Sequence, residues 1–95
     1  MIKSELIDHL IQRFPKLGET VIIDATNSLI KEMSTALCSG SRIEIRGFGS
    51  FSLHYRPERR ARNPKTGEPM VTKAKYSPHF KPGKELKQLI DDLSE

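Results

Sequence analysis

Cysteine is nearly absent from this 95-residue sequence: Cys38 stands alone, which excludes a disulfide framework and the paired spacings of zinc sites. Lying among helical apolar positions, it reads as a small packing residue rather than a nucleophile. The three histidines, His9, His54 and His79, are far apart, with no H-x-x-x-H or H-x-E spacing, and each reads as a surface or sheet residue. No catalytic constellation can be assembled, so neither an enzyme nor a metal or cofactor site is expected. Gly47-Phe48-Gly49 lacks the third glycine of a dinucleotide fingerprint and lies between strands instead of opening a helix. Lys3, Glu5 and Asp8 interrupt any apolar run near the start, and no stretch approaches the ~20 apolar residues that span a bilayer. The expectation is a cytosolic chain with no membrane partner and no small-molecule substrate.

What is abundant is positive charge, and it is local. Residues 56–75 carry Arg56, Arg59, Arg60, Arg62, Lys65, Lys73 and Lys75 against Glu58 and Glu68, a balance of +5 in a chain of +4. Between Arg42 and Lys84, eleven Lys and Arg face three Glu, while the remainder is net acidic. Such asymmetry marks one contact surface for a polyanion.

Along the chain, Leu6, Ile7, Leu10, Ile11 and Phe14 recur at helical spacing, so a helix is expected from residue 3 to about 14, ended by Pro15. A longer helix follows from Glu19 to about Ser39, stopped by Gly40. Residues 41–46 and 50–55 alternate polar and apolar as half-buried strands, with Phe51, Leu53 and Tyr55 on one side. A long hairpin is expected from Phe51 to Arg62 and back from Glu68 to Phe80, around the turn formers Asn63-Pro64-Lys65-Thr66-Gly67. Pro78 suggests a sheet edge or a bulge. Pro82 is expected near N1 of a last helix whose apolar positions are Leu86, Leu89, Ile90 and Leu93. The class is α+β, a single domain with helices on one side of an antiparallel sheet. Within it, residues 1–40 form a two-helix base, 41–55 and 76–81 the sheet, 56–75 an arm and 82–95 the last helix.

Apolar material is short in the arm and surplus in the second helix. Setting aside ~20 arm residues leaves ~75 for a core, which is marginal. The second helix is apolar over a wide arc, with Val21, Ile23 and Ile30 widening the stripe of Ile22, Ala25, Leu29, Met33, Ala36 and Leu37. The surplus calls for another subunit. An isolated two-stranded ribbon is marginal in water, so the arm is expected to be mobile until a negatively charged partner organises it.

A run of charge is commonly a solvated face. Here three features point to nucleic acid: arginines beside the turn suit a narrow minor groove, the arm is too polar to fold for its own sake, and Pro64 at the tip is a rigid apolar ring that can wedge between base pairs. A plain turn residue is the competing reading of Pro64. With ~8 residues per strand the arm reaches roughly 26 Å, comparable with the width of a duplex.

The runs Arg42-Ile43-Glu44-Ile45-Arg46-Gly47-Phe48-Gly49-Ser50-Phe51, Arg62-Asn63-Pro64-Lys65-Thr66-Gly67 and Pro78-His79-Phe80-Lys81-Pro82-Gly83-Lys84-Glu85-Leu86 resemble the bacterial HU and integration host factor family over the whole chain. Residues 44–46 and 79–84 most resemble its β-subunit branch. The resemblance implies an intertwined dimer, with helices as a base under two β-ribbon arms, that binds and bends double-stranded DNA in the nucleoid. Its arms lie in the minor groove and Pro64 intercalates. By the same resemblance Arg46 reaches the groove from the body and Glu44 orients it, while Arg60, Arg62, Asn63 and Lys65 line the arm contact. Lys3, Ser4, Gly83 and Lys84 clamp the backbone at helix N-termini. The remaining cations of the basic region, Arg42, Arg56, Arg59, Lys73, Lys75 and Lys81, complete the expected DNA-binding set. Two departures stand out: Ile2 replaces a capping residue before the first helix, and Ala61 replaces a glycine before the R-N-P run. The partner implied is a related α subunit. A homodimeric packaging protein and a structural RNA-binding protein are the alternatives, the latter disfavoured because A-form RNA offers no groove that admits a ribbon so readily.

Overall fold

The computed structural model describes residues 1–93, so the last two residues of the expected 82–95 helix lie outside the described residues. It comprises two units, Met1–Thr35 and Ala36–Glu95.

In the first unit, α1 spans Lys3–Arg13. Its N-cap is Ile2, whose side chain makes no capping hydrogen bond, as the missing capping residue leads one to expect. Phe14 caps the other end, its N–H donating to the Leu10 carbonyl. Next comes α2, Glu19–Cys38, most of which lies in this unit. Among the described residues, only Ile7, Ile22 and Thr26 are buried. The Thr26 hydroxyl is satisfied inside the helix by the Ile22 carbonyl at 2.8 Å, which makes its burial tolerable.

The second unit begins with the end of α2. Gly40 adopts φ +86°, its N–H donates to the Leu37 carbonyl, and Ser41 N–H donates to Ala36. These two bonds are the Schellman pattern, and glycine takes the left-handed position without steric cost. Cys38, expected as a packing residue, is exposed on this chain.

Strand β1 is shorter than expected, Ile43–Ile45, with Arg42 and Arg46 just outside it. The turn Ile45–Phe48 closes through a Phe48 N–H to Ile45 carbonyl bond and needs the φ of +85° at Gly47. Strand β2, Gly49–Arg56, then pairs with β1 and with β5, Lys75–Pro82, giving the antiparallel order β1-β2-β5. Pro78 lies on β5, an edge of this sheet, in unbroken register opposite Leu53. It is therefore accommodated by the edge and not by a bulge. Phe51 lies opposite Phe80 and Tyr55 opposite Tyr76, with ring centroids 4.8 and 5.3 Å apart. Phe48 joins Phe80 at 5.3 Å. Such pairs add about 0.5–1.5 kcal/mol each beyond burial.

The arm is not one continuous ladder. Beyond Arg56 and Lys75 pairing stops for two residues on each side, then resumes as a separate ribbon of β3, Arg59–Arg62, and β4, Pro69–Thr72. Pro57, which has no N–H to give, occupies the gap together with Glu58. The register nevertheless carries straight through: Arg56 faces Lys75, and Arg59 faces Thr72.

Helix α3, Lys84–Asp91, is capped by Gly83. Pro82 closes β5 instead of occupying the expected N1 position, because the Gly83 N–H bonds back to the Phe48 carbonyl at 2.9 Å and holds this corner as sheet.

Strand β2 starts where β5 presses closest. A Cβ on Gly49 would stand 2.5 Å from the Lys81 carbonyl oxygen and 2.7 Å from the Phe80 ring. Gly49→Ala should therefore cost about 1–3 kcal/mol in thermal or urea unfolding. Gly18→Ala, with open space around the new methyl, should stay within about 0.5 kcal/mol.

Candidate nucleic-acid interface

Three places in the second unit gather the expected site residues. On the body, a groove of about 650 Å³ is lined by Arg42, Glu44, Arg46, Lys81, Gly83 and Lys84 together with Gly47 and Gly49 of the glycine turn. The Glu44 carboxylate meets the Arg42 guanidinium at 3.0 Å, and Arg42 also reaches the Ser50 hydroxyl at 3.5 Å. Glu44 is thus paired with Arg42 and not with Arg46, the residue it was expected to orient. Gly83 was expected to offer its backbone to phosphate, but its N–H is already engaged by Phe48. The donors left at this helix start are those of Lys84 and the residues after it.

At the gap in the arm, a second concavity of about 580 Å³ is lined by Arg56, Arg59, Lys73 and Lys75 with Tyr55, Pro57, Thr72 and Ser77. Four cations share this recess without a carboxylate among its lining residues.

The tip is the third place and is stiffened by its own bonds. Asn63 N–H donates to the Glu68 carbonyl, and Gly67 N–H, at φ +72°, donates to the Asn63 carbonyl at 2.7 Å. The Asn63 Oδ1 accepts from Lys65 N–H at 2.9 Å, the Thr66 hydroxyl from Glu68 N–H, and the Gly67 carbonyl from Arg62 at 3.0 Å. Pro64 stands exposed at the head of this knot. The side-chain bonds of Asn63 and Thr66 are the turn chemistry the sequence led one to expect.

Strand alternation joins the three places. Ser50, Ser52, His54 and Arg56 share one face of β2, and the ladder sets Lys81, His79, Ser77 and Lys75 beside them. Because the gap holds two residues on each strand, the same parity resumes beyond it with Arg60 and Arg62. Glu44, opposite Ser50, belongs to the same face. The opposite face carries Ile43, Phe51, Leu53, Tyr55, Tyr76, Pro78 and Phe80. One side of sheet and ribbon carries cations from body to tip, while the other side is apolar in the sheet and carries Arg59 with Ala61, Met70 and Thr72 in the ribbon.

On the cationic face the rings of His54 and His79 stack at 4.2 Å. Each is expected as a surface or sheet residue, and at 25 positions apart the two give no local sign of a pair. The parity of β2 and β5, once the hairpin is placed, is the signal that brings them together. Lys3 and Ser4, in the first unit, open α1; the Lys3 ammonium donates to Asn27 Oδ1 at 2.9 Å, leaving two of its three protons for another acceptor.

A family model described as bacterial DNA-binding protein matches residues 1–91, and the chain belongs to that family, which includes HU and integration host factor. Its relatives include β subunits of integration host factor. The chain is 55% identical over 91 residues to integration host factor subunit beta of Halorhodospira halophila (strain DSM 244 / SL1), covering 96% of this chain and 89% of that one. It is 56% identical over 87 residues to the same subunit of Dickeya dadantii (strain 3937), covering 92% and 93%. Among solved structures, a cocrystal of Anabaena HU with DNA matches with a TM-score of 0.84 at 30% identity, covering 95% and 97% of the two chains. HU from Thermotoga maritima matches at 0.63 and 26%, covering 95% and 98%.

The β3–β4 ribbon is separated from the sheet and carries exposed Met70 and Val71 as its larger apolar side chains. Amides of residues 59–62 and 70–72 should therefore exchange with solvent faster than those of 49–56, 75–77 and 79–81 in the free protein, and slow when DNA is added. Equal protection in the free protein would contradict a ribbon that needs its partner.

Proposed function

We propose that this chain is the β-type subunit of an architectural DNA-bending protein, working in recombination, transcription and replication. The observation that carries this reading is the single cationic face, held in one register from groove to tip and ending in an exposed, braced proline. Phosphates draw the face onto the duplex and release counterions, about 0.9 in the slope of log K against log salt for each phosphate neutralised. Arginines of the ribbon enter the minor groove, where the narrow walls strengthen the field. Pro64 inserts between base pairs, and the unstacking cost of a few kcal/mol is offset by contacts that only bent DNA allows. Arg46, which lines the body groove, reads the minor groove beside the body, while Lys3, Ser4 and Lys84 hold backbone at helix starts.

The working unit is a dimer. Val21 is 55% exposed, Leu29 61% and Leu89 65% on this chain, and apolar surface of that extent on helices is what a second subunit covers. The relatives are named as subunits of integration host factor, which supports a related α subunit as that partner; a homodimer is the alternative favoured by the likeness to HU. Either assembly presents two arms to the same duplex, consistent with nucleoid location.

End-to-end FRET on a duplex carrying a central site should report a bend with the wild-type dimer. With Pro64→Ala that bend should be largely lost while affinity falls by less than about tenfold, or ~1.4 kcal/mol. An unchanged bend sinks the wedge. Over a panel of duplexes, Arg46→Ala should flatten sequence preference, whereas Lys65→Ala should weaken binding evenly and reduce the salt slope by about 1. If the two act alike, Arg46 does not read sequence.

A further inference from the structure

The stacked pair His54–His79 has no part in the roles above, and we propose that it is a proton-gated phosphate contact on the DNA-facing side of the sheet. The inference rests on the DNA-binding reading. The two rings lie diagonally across β2 and β5, where Ser52 pairs with His79 and His54 with Ser77. Their centroids are 4.2 Å apart and their planes 21° from parallel. Both residues are exposed, so neither ring is needed to fill a core.

The charged groups around the pair are nearly all of one sign. Arg56 and Lys75 face each other one step toward the arm, and Lys81 lies one step toward the body. From the β1 side come Arg42, Glu44 and Arg46, and the only carboxylate of these is held by Arg42 at 3.0 Å. Histidine is the side chain whose ordinary charge change falls between pH 5 and 8. A phosphate laid across the rings supplies the negative charge that this cationic face lacks, and it favours the protonated imidazoles. The DNA-bound protein then holds more protons than the free protein. By linkage its affinity rises as pH falls, and the slope of log K against pH counts the protons taken up.

The full-length dimer is titrated with a fluorescent duplex at fixed ionic strength between about pH 6 and about pH 8. Proton uptake is read independently by calorimetry of the wild type in buffers of different ionisation heat. Affinity should rise about tenfold or more over this range. His54→Gln/His79→Gln, checked for folding by thermal melting, should vary by less than about twofold over the same range, and each single variant should lie between. At the acidic end the double variant should also show a salt slope shallower by about 1. A double variant that keeps the wild-type pH dependence, or a wild type that takes up no protons, overturns the proposal while leaving DNA binding intact. Loss of salt-dependent binding by the wild type throughout would remove the DNA-binding reading and this inference together.

Discussion

Antiparallel pairing in a single unslipped register is the constraint on which the rest depends. Side chains alternate across a strand, so one residue of slippage between the outgoing and returning strands would scatter the cations over both faces. Phe51 against Phe80, with Leu53 beside them, fixes that register on the apolar side, since these side chains are half-buried and a shift would expose them and turn cations inward. The charge pattern of the opposite face follows from this apolar lock. So does the tip: with Arg62 opposite Pro69, six residues remain to turn the chain, and the Asn63 and Thr66 side chains close that loop on itself.

Stability and function are divided between different parts of the chain. The rings and the glycine corner around Gly49 hold the sheet, where a methyl group would collide with the Lys81 backbone. The helices leave apolar stripes open on a single chain, Leu89 and Ile90 of α3 among them, and so depend on assembly. The ribbon has little of either resource, and its order comes from turn bonds at one end and the sheet at the other. A segment built this way is cheap to deform and strongly charged, which suits a partner that must itself be distorted.

Much of this was legible in the residues. Helical spacing in α1 and α2, the left-handed stop at Gly40, the G-F-G corner and the turn formers around Pro64 each carry a local physical signal, and each sits where that signal puts it. What escaped was relational. The break at Pro57 has a local signal, a proline inside a strand pattern, but the stronger turn signal around Pro64 implies one continuous hairpin instead of two ladders. Pro82 looked like a helix opener until the Gly83–Phe48 bond tied it to the sheet. The Glu44–Arg42 contact could not be distinguished from Glu44–Arg46, because both arginines stand two residues from the carboxylate and share its face. The histidine stack depends on cross-strand register, which no local window contains.

The even gap beside Pro57 also bears on how such an arm could lengthen or shorten over generations. With two unpaired residues on each strand, the hairpin can tilt at this point without turning over. Adding or removing one residue in both strands would turn everything distal by half a turn and present Arg59, Ala61, Met70 and Thr72 in place of Arg60 and Arg62. The distal face is therefore kept by matched changes of two residues in each strand, much as a reading frame is kept by whole codons, while an extra residue in one strand alone is taken up as a bulge.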